Sequence, residues 1–386
     1  YDAAGRLITT ERDLNPKDGQ AQVLVTHHRH DAADRLVAVA EVLRTGTAPQ
    51  ATDTLLAGQA LSRGAGGAIS RIDTYRSGAS YDSQAGTFSG TPASTQAFEY
   101  DGNARLTREM RTQGIGAAAT TTDTRYEYDA AGNRTTKTVT TAAGTEITTY
   151  SYDAADRLTS ENTSLPAGGS RVVTYTWDQN GNLQSKTEPG RVTLYRFDAR
   201  NRLIDIRSGA TNAEASASSP SVSYGYDAQG NRVRKATGQG ATSYLIDSTF
   251  QYAQVAREIT AAAGQGAAGA STATDYVRGL QLVRQRRSDG EPSADLFPLH
   301  GHLGTSLGAV DANGAVVEVV DADAFGNLAQ PTGLKQAHLY TGEYWDQDSQ
   351  LVYLRARWYE PKAGRFVSGD PFEGRQRDPR SLSRYS

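Results

Sequence analysis

Along much of the chain, polar and apolar residues alternate in short runs, the pattern of strands that turn one face to a core. The stretch Arg171-Val172-Val173-Thr174-Tyr175-Thr176-Trp177 is rich in β-branched and aromatic residues, and Thr148-Thr149-Tyr150-Ser151-Tyr152 follows the same pattern. Such runs end in a common way: an aromatic residue, Asp, two free positions, then Gly, Asp or Asn, then Arg or Asn. The clearest copy is Tyr128-Asp129-Ala130-Ala131-Gly132-Asn133-Arg134. Copies start at Tyr1, His30, Tyr100, Tyr128, Tyr152, Trp177, Phe197 and Tyr226, which places turn aspartates at Asp2, Asp31, Asp101, Asp129, Asp153, Asp178, Asp198 and Asp227. The His30 copy lacks a strictly hydrophobic lead residue, and the Tyr100 copy has Ala104 where Gly is usual.

Asp followed three positions later by Gly is a turn signature. The carboxylate accepts bonds from nearby backbone N–H groups, and Gly takes a positive φ without steric cost. Alternation resumes afterwards, as in Arg157-Leu158-Thr159 and Asn231-Arg232-Val233. Strand, tight turn and strand make a β-hairpin. The starts lie 20 to 29 residues apart, except for one gap of 70. That spacing fits two strands and two turns, so one hairpin unit is stacked many times.

Composition sharpens this picture. The chain has 386 residues, 37% of them hydrophobic, with 20 Tyr against 8 Phe. The apolar fraction is low for compact cores of this size. A sheet wetted on both faces needs less apolar material, and tyrosine suits it, because the ring packs while the hydroxyl stays in water. An extended or hollow β structure is therefore expected. The net charge of −3 gives no basic field for nucleic acid or an anionic membrane. No apolar run approaches the length of a membrane helix, and the absence of Cys removes disulfides and thiolate metal sites. The chain opens inside a repeat and is expected to be a piece of a longer one.

Leu36-Val37-Ala38-Val39-Ala40-Glu41-Val42-Leu43 is compatible with helix by propensity, yet stands where other copies place the strand after the turn, and strand is the reading adopted. The long gap holds Ile72-Asp73-Thr74-Tyr75-Arg76 and Tyr81-Asp82, read as a degenerate copy set off by Gly64-Ala65-Gly66-Gly67. Stretches rich in Ala, Gly, Ser and Thr at 113–122, 164–170, 209–221 and 261–274 read as mobile outer loops. From Glu291 turns become denser, at Asp311-Ala312-Asn313-Gly314, Ala324-Phe325-Gly326-Asn327 and Glu360-Pro361-Lys362-Ala363-Gly364, which marks a separate β module over 291–386 after a repeat region over 1–290.

These residues resemble the Rhs, or YD-repeat, family, which includes bacterial polymorphic toxins, insecticidal toxin-complex C components and the teneurins. The C-terminal part resembles the Rhs-associated core in His302-Leu303-Gly304-Thr305-Ser306, Tyr340-Thr341-Gly342-Glu343, Leu354-Arg355-Ala356-Arg357-Trp358-Tyr359-Glu360-Pro361 and Gly364-Arg365-Phe366-Val367-Ser368-Gly369-Asp370-Pro371. The resemblance implies an all-β fold in which the repeats spiral as one continuous antiparallel sheet into a hollow shell, plugged at one end by the core. Eight copies are few for a sealed cocoon, so a partial shell completed by upstream repeats is also consistent.

In family members the core is an aspartyl-type autoprotease that releases a C-terminal effector, using paired Asp residues in Asp-Pro-x-Gly settings. Asp370 matches the first, with one extra residue before Gly374. Asp378-Pro379 lacks the Gly, and a second motif is absent from the sequence, so this chain alone is not expected to cleave itself. Arg365 is a candidate to orient or neutralise Asp370, and equally a structural partner of the turn. The resemblance implies an effector in the same polypeptide, a delivery or secretion component capping the shell, and export to the cell surface or medium, with no cofactor or metal. The rival reading is a surface adhesion protein binding carbohydrate.

Other motifs weigh less. Gly304-Thr305-Ser306-Leu307-Gly308 fits a nucleophile elbow, but that motif needs a strand-to-helix turn in alternating α and β units. Gly264-Gln265-Gly266-Ala267-Ala268-Gly269 fits a dinucleotide loop without a following amphipathic helix. His28 with His30, and His300 with His302, share a strand face, yet no carboxylate or Cys completes a metal set. Asp321 and Asp323 begin a calcium-loop pattern that Phe325 interrupts.

Overall fold

A computed structural model describes residues 1–14, 22–46, 51–264, 271–288, 295–329, 333–372 and 384–385. From Thr9–Asp13 to Val316–Val319, a 24-stranded antiparallel sheet runs in chain order, interrupted by one small excursion hairpin. The first strand pairs with Gln22–His30 and the last with Ser306–Val310, and no pairing joins the two ends among the described residues, so the sheet is open.

Consecutive antiparallel pairing puts every second connection on the same rim. All eight Asp turns lie on one rim, and in seven of them the ladder slips by one residue just before the turn, as at Glu127/Tyr128, Ser151/Tyr152 and Gly225/Tyr226. A bulge bends the strand and increases its right-handed twist. Repeated along one rim, the bulges make the sheet curl.

The curl brings the end of the sheet back over the face of its beginning. Leu14, Leu24, Leu56 and Ala57 pack against Phe297, Leu299, Leu307 and Val310. A row of polar side chains satisfies the returning backbone. Arg12 Nη1 donates to Pro298 O at 2.7 Å, Glu41 Oε1 accepts from His300 N at 2.9 Å, and Gln59 Oε1 accepts from His302 N at 2.9 Å. Arg76 donates to Leu307 O, Gln96 donates to Ala322 O, and Glu109 accepts from Ala324 N. Backbone groups removed from water need partners, and these polar residues, four of them buried and Arg76 and Gln96 partly so, supply them.

A second sheet of four strands, Tyr344–Asp346, Leu351–Leu354, Arg357–Glu360 and Arg365–Phe366, fills the curve further along. Its Tyr344, Leu351, Tyr353 and Trp358 pack on Tyr175, Leu203, Val222, Tyr224, Tyr244 and Tyr276 of the large sheet. The large sheet itself continues through Asp295–His300, so it runs on past 290/291, and residues 289–294 lie outside those described.

Three details depart from the sequence reading. The degenerate copy in the long gap is the Gly64 turn itself: Gly64 N bonds Ala68 O and Gly67 N bonds Gly64 O, the backbone pattern of every Asp turn. Ile72 to Arg76 instead lie within the strand Ile69–Arg76, and Tyr81-Asp82 belong to the hairpin Ser80–Asp82 and Thr87–Ser89. That hairpin lays Tyr81 and Phe88 over Val25, Ala40, Val42 and Leu55 on the outer face. The strand Leu36–Thr45 is thus covered on both faces, which is why it reads as a continuous apolar run. Finally, the stretch 209–221 holds a helix, Asn212–Ala217, with Thr211 accepting from Glu214 N and Glu214 Oε2 accepting from Ala210 N. Ala215 is buried beneath it, so this stretch is docked on the sheet.

Candidate functional site

The turns of one rim form a continuous chain of contacts. In each, Asp Oδ1 accepts the backbone N–H four positions on and Oδ2 takes the side chain at that position, and in six of the eight Oδ1 also accepts the N–H two positions on, as with Ala155 N and Arg157 N on Asp153. The third position has positive φ throughout: Gly5, Asp34, Ala104, Gly132, Asp156, Gly181, Asn201 and Gly230. Arg35 side-chain and backbone bonds hold the Asp31 carboxyl down at about 2.

The residue at the fourth position also reaches forward. Arg105 Nη1 donates to Asp129 O at 2.8 Å, Asn133 Nδ2 to Asp156 Oδ1 at 2.7 Å, Arg157 Nη1 to Asp178 O at 3.1 Å, and Asn182 Nδ2 to Asn201 Oδ1 at 2.9 Å. The aromatic lead residue reaches back: Tyr128 OH donates to Leu106 O, Tyr152 OH to Arg134 O, Trp177 Nε1 to Leu158 O and Tyr226 OH to Leu203 O. Tyr100 OH donates to Ile69 O, at the equivalent place after Gly64, which identifies that turn as a repeat member. These contacts explain the motif: Asp caps its own turn, Arg or Asn bonds the next, and the aromatic bonds the last.

Where the second sheet meets the first lies a buried ionic centre that the sequence reading did not find. Arg232, 1% exposed, stands 4.2 Å from the Tyr344 ring centroid, 4.4 Å from Tyr244 and 4.6 Å from Tyr353. Asp346, fully buried, accepts from Lys235 Nζ at 2.9 Å and Tyr224 OH at 3.1 Å, with Arg232 Nη1 at 3.4 Å. Burial pushes the Asp346 carboxyl up, but Lys235 and Arg232 outweigh it and hold it below its ordinary value. Lys186 Nζ and Glu360 Oε1, 2.6 Å apart, make a second ionic pin between the sheets. The partners lie more than 100 residues apart in sequence, so spacing along the chain carried no signal of them.

Asp370 and Arg365 are not neighbours in contact. Arg365 is buried and donates to Asn133 Oδ1 at 3.0 Å and Asp156 O at 3.2 Å, joining the core to the rim chain. It stands in the strand Arg365–Phe366, and the chain runs on five residues to Asp370. The carboxylate of Asp370 is held instead by Arg357 Nη2 at 2.7 Å, and Asp370 Oδ1 accepts from Phe372 N. Arg384 donates to Asp370 O, and Tyr385 OH donates to Gly181 O, so this end of the core returns to the Asp178 turn. Gly374 and Asp378-Pro379 lie outside the described residues.

Ser306, His300, His302, Asp321 and Asp323 have ordinary partners, whereas His28 Nδ1 and His30 Nδ1 are buried without one among the described residues. Ser306 opens the strand Ser306–Val310, not a strand-to-helix turn, and its hydroxyl contacts Gln336 and Gly308. His300 Nε2 meets Leu282 O and His302 Nδ1 meets Gln59 Oε1. Asp323 caps its own turn, and Asp321 pairs with Arg111 and Gln113. Residues 265–269 of the Gly264 motif lie outside the described residues. No helix among them is long and apolar enough to cross a membrane.

The sequence is similar to several known proteins. The sequence is 25% identical over 269 residues to the tRNA3(Ser)-specific nuclease WapA of Bacillus spizizenii, an overlap of 68% of this chain and 10% of that protein. It is 28% identical over 323 residues to the toxin protein Tse5 of Pseudomonas aeruginosa, covering 71% of this chain and 23% of that one. The chain therefore spans 10% and 23% of the lengths of these relatives. A solved structure titled TcdB2-TccC3-TEV aligns over 100% of this chain and 20% of its own, at 17% identity and a TM-score of 0.46. Residues 125–386 match the Teneurin YD-shell model, more than half the chain, and the protein belongs to the Teneurin YD-shell family of YD-repeat proteins.

Proposed function

We propose that this chain is part of the wall and inner plug of a toxin shell that encloses a C-terminal effector carried by the same polypeptide. One observation carries the reading: the second sheet is fixed to the concave face through Arg232, Lys235 and Asp346, and through Lys186 and Glu360. Ion pairs deep in an interface register one body on another more than they stabilise it, which is what a plug needs. The relatives named as a toxin and a tRNA nuclease support an effector beyond the shell. Export as part of the longer protein follows from the same reading.

Within it, Asp370 serves as one carboxylate of an aspartyl pair, with Arg357 rather than Arg365 holding its charge. Such a pair needs a second carboxylate sharing a proton. The test expresses the native gene with its downstream sequence and weighs the purified product intact, beside Asp370→Asn. Separation downstream of Asp370 in the wild type alone supports release of cargo, with the cargo protease-resistant until the plug is loosened by Arg232→Met. An intact wild type with freely digested downstream sequence rejects enclosure.

A further inference from the structure

At the Asp-turn rim, the curl brings distant turns together around a cleft of about 360 Å³, lined by Arg278, Leu280, His300, Leu303, His338 and Arg355. Leu303 and Thr341, at its wall, have φ of 58° and 52°, and Arg355 has φ of 62°. Positive φ in side-chain-bearing residues is strained and tends to gather where a site imposes geometry. Leu303 and Thr341 lie in turns that share the backbone bonds of the Asp turns, starting at Gly301 and Leu339, but their positive φ falls at the second position, where none of the Asp turns has it.

The charges around the cleft do not balance. Arg355 Nη1 lies 2.9 Å from both carboxylate oxygens of Glu343, so that pair is closed. Arg278 has no carboxylate on it among the described residues. Its Nη2 donates to His338 Nε2 at 2.6 Å, and its Nε has no partner. Because arginine only donates, His338 accepts at Nε2 and carries its proton on Nδ1. That Nδ1 is also without a partner, and His338 is 5% exposed. One uncompensated cation and unpaired donors beside a cleft select an anion. Leu280 and Leu303, 75% and 72% exposed, stand on the same lining.

We propose that this cleft binds the carboxylate of a peptide segment, with Arg278 as the fork and Leu280 and Leu303 flanking it as apolar contacts. A single carboxylate matches the single excess charge. A phosphate, with a charge of about −1.5 to −2 at neutral pH, would leave negative charge beside Glu343. The site is independent of whether the shell encloses an effector.

The test is calorimetric titration of the full chain at low salt with N-acetyl-L-leucine, with N-acetyl-L-leucinamide and with inorganic phosphate. The acid is expected to bind at least tenfold more tightly than either alternative. Arg278→Gln should weaken it at least tenfold. Leu280→Glu, at an exposed side chain that the core does not use, should do the same by placing a negative charge on the lining; it decides the matter if Arg278→Gln does not fold. Equal binding of acid and amide, preference for phosphate, no binding of the acid, or unchanged affinity in Leu280→Glu overturns the proposal.

Discussion

The hydroxyl of Tyr128 donates to the carbonyl of Leu106 at 2.7 Å, fastening one turn of the rim to the turn before it. The bond crosses from one hairpin unit to the next, so part of each repeat's stability resides in its neighbour. Phe197 fills the same position without a hydroxyl, so the position tolerates its loss. Tyr128→Phe is expected to cost about 1 kcal/mol, read as a lower urea midpoint with an unchanged slope. No shift in midpoint would remove the hydroxyl from the account of rim stability.

Arg232 sits where the sheets meet, and its removal strands part of a buried charge cluster. Arg232→Met keeps roughly the volume and leaves Lys235 as the one cation paired with Asp346 among the described residues. Removing one member of such a pair costs about 3–5 kcal/mol. Trp358, whose ring lies 5.3 Å from the guanidinium, gives the readout: its fluorescence should change at lower denaturant than the far-ultraviolet signal of the large sheet. Coincident and unshifted transitions would contradict a pinning role.

Acid acts on the returning strands through His302. Burial, and then Arg63, lower its imidazole to about 4. A depressed folded value means that the neutral form stabilises the fold, so this contribution is complete above about 6.5 and is lost as pH falls through 4. Its size is up to about 3 kcal/mol. The carboxyls of buried Glu109 and half-buried Glu161 and Glu258 are raised, chiefly by desolvation, so their contribution has the opposite sign: it is full at low pH and fades as pH rises. The difference between wild type and His302→Asn isolates the imidazole. It should narrow between pH 6.5 and 4, and a constant difference would show that His302 does not titrate there.

Gly58 leaves room for Phe88. A Cβ at position 58 would stand 2.5 Å from the Phe88 ring and 2.9 Å from Val39 O. Gly58→Ala should lift the hairpin that carries Phe88 off the outer face, exposing Val42 and Leu55. Limited proteolysis should then cut between Asp82 and Thr87, where the wild type resists. Equal resistance in both proteins would show that the hairpin is held by other contacts.

How much of this was legible depended on whether cause and effect lay close together in the chain. Asp153 caps Arg157 four residues away, and such local bonds write themselves into a motif that spacing reveals. The Gly64 turn makes the same backbone bonds without an Asp, so its chemistry left no letter to read. Arg232 looks like any other arginine after a turn, and only folding brings Asp346, 114 residues on, beside it. Arg365 lies five residues from Asp370 in sequence, but its strand carries it to Asn133, 232 residues away, where it serves as a structural partner of a turn. The helix Asn212–Ala217 hid in an Ala- and Ser-rich stretch whose Thr211 and Glu214 form a capping pair.

The slip of one residue before seven of the eight Asp turns has a consequence for size. Each repeat makes one margin of the fabric slightly longer than the other, as a dart shapes cloth. Curvature is therefore dosed per copy rather than fixed by any single contact. Adding or deleting a unit should change how far the wall wraps while leaving every unit internally the same. In such a protein the reach of the curl is a counting variable, and evolution can lengthen the wall by duplicating a line of sequence without redesigning its weave.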